Sequence, residues 1–276
     1  MQVSRTTKIL RVLVLVFYLV FSLFPIYWMF ITSLKTDKEV YIENPTYYPH
    51  NPTFENYRSI YEGRPYAAYT LNSILITFGT TGACIVFGTI AAYGFSRFRF
   101  FGNKTLRYSL LISRVFPPIS LIVPFFMIIG WLRLYDTKMA NIIVNTYMWL
   151  PFFIWITIGF FDTVPKELEE SAQIDGASRF QTFFRISMPL ALPGIAAASI
   201  ITFLETWKEF LYNLVLSPTS NAKNLSVGAS DFIADMFISW EQMGAGAIIA
   251  SIPAFIFVIF FQKYIVQGLT AGSVKG

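Results

Sequence analysis

The sequence is poor in the residues that perform chemistry. Its 276 residues include one cysteine and one histidine. A single cysteine, Cys84, excludes a disulfide framework and any cysteine-based zinc site. It lies in an apolar run, where a small buried hydrophobe is expected. His50 sits in a Pro/Asn-rich loop from Asn44 to Asn56, with no second histidine to build a metal or proton-transfer site. No Gly-Lys dipeptide occurs, so there is no G-x-x-x-x-G-K-[ST] phosphate loop. H-E-x-x-H and G-x-S-x-G are missing too. The chain is therefore expected to have no catalytic residue, no resident metal and no ATPase activity of its own. Charge is also scarce, at 13% Asp, Glu, Lys and Arg, where a soluble domain carries about 25%. The net charge of +5 forms no basic stripe interleaved with aromatics, which argues against nucleic acid.

What the sequence does have is apolar length. Hydrophobic residues make up 55% of the chain, and the charges cluster between long runs. A hydrocarbon core of ~30 Å needs about 20 apolar residues in a helix. Segments of that order fall at about 9–34, 68–95, 106–130, 138–161, 188–212 and 244–266. Backbone groups in lipid must be satisfied within their own segment, so each reads as a helix. The expected fold is an all-α polytopic bundle of about six transmembrane helices, forming one transmembrane domain over 1–276. The first run, from Val12 to about Leu34, exceeds the roughly 7–15 apolar residues of a cleavable signal and is followed by no A-x-A site. It reads as an uncleaved span. Pro25, Pro117, Pro118, Pro124, Pro151 and Pro253 predict kinks. With the N-terminus inside, inner segments carry twelve Lys and Arg and outer loops seven. That bias places both termini in the cytoplasm. It also creates two outer loops, about 35–67 and 213–243, suited to docking an external partner or to simple connection.

The inner stretch 162–187, between the fourth and fifth spans, is the most informative. Pro165 suits the first turn of a helix, and Glu167, Glu169 and Glu170 follow where the macrodipole favours anions. Asp175-Gly176 stops that helix with a turn. Ser178 and Gln181 have capping-box spacing, and Phe180, Phe183 and Phe184 recur at helical intervals. These signals predict two short helices joined by a glycine elbow. By themselves they are equally compatible with an amphipathic helix lying on lipid.

The residue order adds a resemblance. Glu170-Ser171-Ala172, then Asp175-Gly176-Ala177, Phe184, Pro189 and Pro193 resemble the EAA loop of bacterial and archaeal ABC-importer permeases. Ser171 departs from the usual first alanine, one small residue for another. The end of the chain, 267–276 with Gly272, Val274 and Lys275, is similar to the tail of the second permease subunit in carbohydrate importers related to the maltose system. The resemblance runs through nearly the whole chain. It implies that the 165–185 loop is a coupling helix docking into a groove of a separate ATPase. It also implies that the tail reaches between two ATPase subunits. The further implied partners are a homologous permease, an external solute-binding protein and the prokaryotic inner membrane, with ATP and Mg bound by the ATPase rather than by this chain.

Charges inside spans are costly and usually face a cavity or one another. Arg114 falls in the third span, and Glu205, Lys208 and Glu209 fall in the fifth beside Trp207. Glu205 and Lys208 are three apart and can pair on one helix face. Alternatively Arg114, Glu205, Trp207, Lys208 and Glu209 line a solute path, since a carboxylate beside aromatics suits a hydroxyl-rich ring. Trp-Lys-Glu-Phe resembles the family's Trp-Asn-Glu-Phe. Lys208 for the usual asparagine points to an acidic or phosphorylated solute, or only to a pair with Glu205. Asn72 and Ser73 also match the family, as packing hydrogen bonds or as path residues. The implied function is the permease of an ATP-driven importer for a sugar or related polar solute. The rival reading is an ion-driven secondary transporter with polar midplane residues.

Overall fold

A computed structural model of the chain describes residues 5–233 and 238–271, with side chains for 7–233 and 238–260. The described residues form helices and no strand. In chain order the principal ones are α1 (Arg5–Ser33), α2 (Glu55–Gly63), α3 (Tyr66–Arg97), α4 (Asn103–Ile112), α5 (Ile122–Trp131), α6 (Lys138–Thr163), α7 (Lys166–Ile174), α8 (Arg179–Trp207), α9 (Leu211–Leu216) and α10 (Trp240–Ala271). Five of them, α1, α3, α6, α8 and α10, are long and apolar enough to cross a membrane.

The stretch expected as a third span, about 106–130, is not one continuous helix. α4 stops at Ile112, a tight turn covers Pro118–Leu121, and α5 starts at Ile122. Pro117 and Pro118 have no N–H to donate, and each biases the residue before it away from the helical region. Pro25, Pro151 and Pro253 behave differently and lie within unbroken helices. The second half of the 162–187 stretch also differs from expectation. It is no separate short helix but the first turns of α8, which runs on into the fifth span through a π-turn at Phe183–Ser187.

The chain divides into two compact units, one made of residues up to 67 with 228–253, the other of 68–227 with 254 onward. In the first unit, Asn56 Nδ2 donates to the carbonyls of Ser33 and Lys35, each at 2.8 Å. The hydroxyls of Ser33 and Tyr57 meet at 2.7 Å. The loop after α1 thus closes on the end of that helix. His50 is exposed, and its backbone N–H donates to Glu39 Oε1 at 2.9 Å. Burial pushes the Glu39 carboxyl up, but the hydrogen bonds from His50 and Thr46 outweigh it and hold it below the usual carboxylate range. From Thr7 to Phe24, α1 is exposed on every side.

The second unit is built around α6, which packs on α3 and α8. Its core joins Cys84 and Ala92 of α3, Phe153, Ile154, Ile158 and Phe161 of α6, and Ala191, Ile195 and Ala198 of α8. Small residues on α8 allow close approach, as is usual between membrane helices. A Cβ at Gly194 would sit 2.1 Å from the Phe160 ring. Asn72 Nδ2 donates to the carbonyls of Ser220 and Lys223, both at 2.9 Å, and Ser73 Oγ accepts from Leu225 N–H at 2.8 Å. Both side chains are therefore spent on fixing the 218–225 loop to α3.

Candidate coupling hairpin and polar cavity

The hairpin is built locally. Val164 leaves α6 in an extended conformation, and Pro165 caps α7 from just outside it. α7 ends in a Schellman motif: Ala177 N–H donates to Ala172 O at 2.9 Å, and Gly176 N–H to Gln173 O at 3.1 Å. That closure needs a left-handed residue at the turn. Gly176 supplies it at φ 90°, with open space where a Cβ would be. α8 then opens with a full capping box, Ser178 Oγ accepting from Gln181 N–H and Gln181 Oε1 from Ser178 N–H.

The tip of the hairpin is exposed and apolar. Ile174 is 86% exposed and Phe180 72%. Glu170, Ser171, Asp175 and Gly176 are exposed, and Ala172 and Ala177 are half-buried. The six residues singled out by sequence therefore share one accessible elbow.

The root is the opposite. Glu169, on the same helix, is buried and pairs with Arg97 at the end of α3, Nε to Oε1 at 2.7 Å. Glu169 also accepts from Ser187 Oγ at 2.7 Å and from the Tyr93 hydroxyl at 3.2 Å. Arg97 further donates to Val164 O at 3.0 Å and Ser96 Oγ at 2.9 Å. The α3 end, both hairpin arms and the linker from α6 are thereby tied to one buried ion pair. Breaking such a pair by removing one partner costs about 3–5 kcal/mol. Sequence reasoning weighed Glu169 only as a helix-dipole acid and Arg97 only as an inner cation. The two are 72 positions apart, and no local pattern joins them.

The charges at the end of α8 gather around a cavity of about 180 Å³ lined by Pro118, Asn145, Trp149, Glu205, Lys208, Glu209 and Tyr212, among others. α8 stops at Trp207, and Lys208–Phe210 form a break before α9. Glu209 caps α9, accepting from the N–H groups of Tyr212 at 2.7 Å and Asn213 at 3.1 Å. An acidic side chain at orphan helix N–H groups is well matched. Lys208 Nζ donates to Glu205 Oε1 at 2.7 Å. Arg114 stands over the Trp149 ring at 4.2 Å and donates to Met148 O at 2.7 Å, so it touches two of the lining residues. Trp207 is not with them: it is buried and stacked on Phe203. The tail residues Gly272, Val274 and Lys275 lie outside the described residues. No group of three or more metal-ligating side chains occurs among the described residues.

The chain as a whole is similar to known proteins. Residues 84–271 match the family described as binding-protein-dependent transport system inner membrane component. The sulfoquinovosyl glycerol transport system permease protein of Agrobacterium fabrum is 33% identical over 270 residues, covering 98% of this chain and 94% of its own. The trehalose transport system permease protein of Mycobacterium tuberculosis is 36% identical over 260 residues, 93% of each. In three dimensions the chain is similar to a chain of a bacterial ABC transporter that imports the acidic polysaccharide alginate, with a TM-score of 0.84 at 21% identity, over 96% of this chain and 99% of that one. The ion-driven alternative is set aside. This multi-pass membrane chain belongs to the family of binding-protein-dependent transport system inner membrane components, and it is a permease subunit of an ABC importer rather than an enzyme.

Proposed function

We propose that this permease carries a sugar or a related polar solute, as the second-permease-type member of a heterodimer with a homologous permease. Both termini face the cytoplasm, an external binding protein delivers the solute, and a separate ATPase dimer binds ATP and Mg. The 165–185 hairpin seats in a groove of one ATPase subunit, and the tail at 270–276 lies at the ATPase interface. The observation that carries the coupling role is the pairing of an exposed apolar elbow with a root fixed by Arg97 and Glu169. An element of that kind transmits a push at its tip to α3, α6 and α8 as a rigid body, because packed interfaces shift between discrete arrangements.

For the solute, Glu205 and Lys208 already neutralise one another, and Glu209 is engaged with backbone N–H groups. A neutral polyhydroxy ring therefore suits the cavity as well as an acidic one, with Trp149 and Tyr212 offering apolar faces. The relatives named for sulfoquinovosyl glycerol and trehalose support the sugar class. The test is purification of the intact complex with its binding protein and identification of the bound ligand. The expected result is a sugar or polyol, with one homologous permease and two ATPase copies. An amino acid or metal ion as ligand, or two copies of this chain, overturns the reading.

A further inference from the structure

Beside the root of the hairpin lies a basic feature that, apart from Arg97, takes no part in the Arg97–Glu169 pair. Residues 98–102 turn sharply from α3 into α4, with Gly102 at φ 84° and Asn103 Nδ2 donating to the carbonyls of Phe95 at 3.1 Å and Phe98 at 3.0 Å. This built turn walls a cavity of about 650 Å³ whose cations are Arg97, Arg99, Lys104, Arg107 and Lys166, with no acidic residue in its lining. A second cavity of about 400 Å³ shares Lys104 and Arg107 and continues along α4 and α6 over Tyr108, Trp155, Ile158 and Gly159, with Asp162, the partner of Arg107, as its one acidic residue.

The cations divide into two sets. Arg97 is committed to Glu169, and Arg107 donates to Asp162 at 3.2 Å and to Phe95 O at 2.5 Å. Arg99, Lys104 and Lys166 have no partner among the described residues, and Arg107 Nε is buried without an acceptor. Three uncompensated cations thus meet at the mouth of a groove whose far end is aromatic and apolar. Phe101 is fully exposed and Tyr108 is 61% exposed at the same place. A free anion would use the cations and leave the groove empty. A molecule with a phosphate at one end and a hydrocarbon chain at the other uses both.

We propose that this double cavity binds an anionic phospholipid. Its phosphate lies among Arg99, Lys104 and Lys166, and one acyl chain lies in the α4–α6 groove across Tyr108, Trp155 and Gly159. Basic pockets between membrane helices are suited to anionic headgroups. The proposal rests on the multi-pass placement of the chain and on neither the solute nor the coupling role of the hairpin.

The test uses the intact complex in nanodiscs of phosphatidylcholine doped with phosphatidylglycerol, with retained lipid counted by native mass spectrometry. Arg99→Gln with Lys104→Gln should weaken phosphatidylglycerol retention roughly thirtyfold and leave phosphatidylcholine retention unchanged. Gly159→Leu, placed where a Cβ meets nothing within 4 Å, should weaken retention with every charge in place. Unchanged phosphatidylglycerol retention in the double variant overturns the proposal. So does loss of the ATPase from the double variant with lipid retained, which would assign the cations to an acidic protein surface. Unchanged retention in Gly159→Leu, together with equal competition by inorganic phosphate, reduces the site to a free-anion pocket and also overturns it.

Discussion

Arg97–Glu169 and Lys208–Glu205 are both ion pairs of 2.7 Å, yet they stand in opposite surroundings. The first has side chains 7% and 6% exposed, and the second 66% and 30%. Around Glu169, Ser187 and Tyr93 donate two further hydrogen bonds. Around Lys208 the cavity is open. A buried ion pair adds little net stability compared with an apolar pair, but it holds its geometry once formed. An exposed pair at a helix break holds little and leaves its charges accessible to a solute. The same chemistry therefore fixes the root of the hairpin in one region and lines a cavity in the other.

The largest expected effect comes from breaking the buried pair. Glu169→Ala leaves Arg97 uncompensated in the interior, at a cost of about 3–5 kcal/mol. The expected outcome is a marked loss of thermostability of the complex in nanodiscs together with loss of solute-stimulated ATP hydrolysis. Next is Gly176→Val, which forces a β-branched residue into a left-handed conformation at a cost of about 1–2 kcal/mol. No neighbour is displaced, so the spans should keep their thermostability while stimulated hydrolysis falls. Equal damage to both would mean that the elbow is structural.

The smallest effect belongs to the exposed pair. Lys208→Ala should change thermostability by no more than about 1 kcal/mol. It should alter uptake of the solute in proteoliposomes, because Glu205 then faces the cavity unpaired. A large loss of thermostability with unaltered uptake would reverse the contrast between the two regions.

Much of this was legible in the sequence because it is local. Apolar runs of spanning length, the Asp175-Gly176 stop and the Ser178–Gln181 box each follow from residues within a few positions of one another. The third span was expected to kink at Pro117 and Pro118, and the two missing donors break it outright between Ile112 and Ile122. The second arm of the hairpin was expected as a separate short helix, whereas a π-turn, in which Met188 N–H reaches Phe183 O, carries it on into the fifth span as α8. The root of the hairpin was not legible, since Arg97 and Glu169 meet only after α3, α6 and α8 have packed. Trp207 shows the limit of reading a site from adjacent letters, because its neighbours in sequence turn to the cavity and it turns into the core.

The central claim is that the exposed elbow docks on the ATPase, and a cross-link tests it most directly. Ile174→Cys places a thiol at a position 86% exposed, while the native Cys84 is fully buried and serves as an internal control. With a bifunctional thiol reagent on the intact complex, the expected result is a covalent adduct between this chain and the ATPase. Its yield should change when ATP is added, and solute-stimulated hydrolysis should stop once the adduct forms. A complex that transports normally but gives no adduct from Ile174→Cys or from Phe180→Cys would contradict the account.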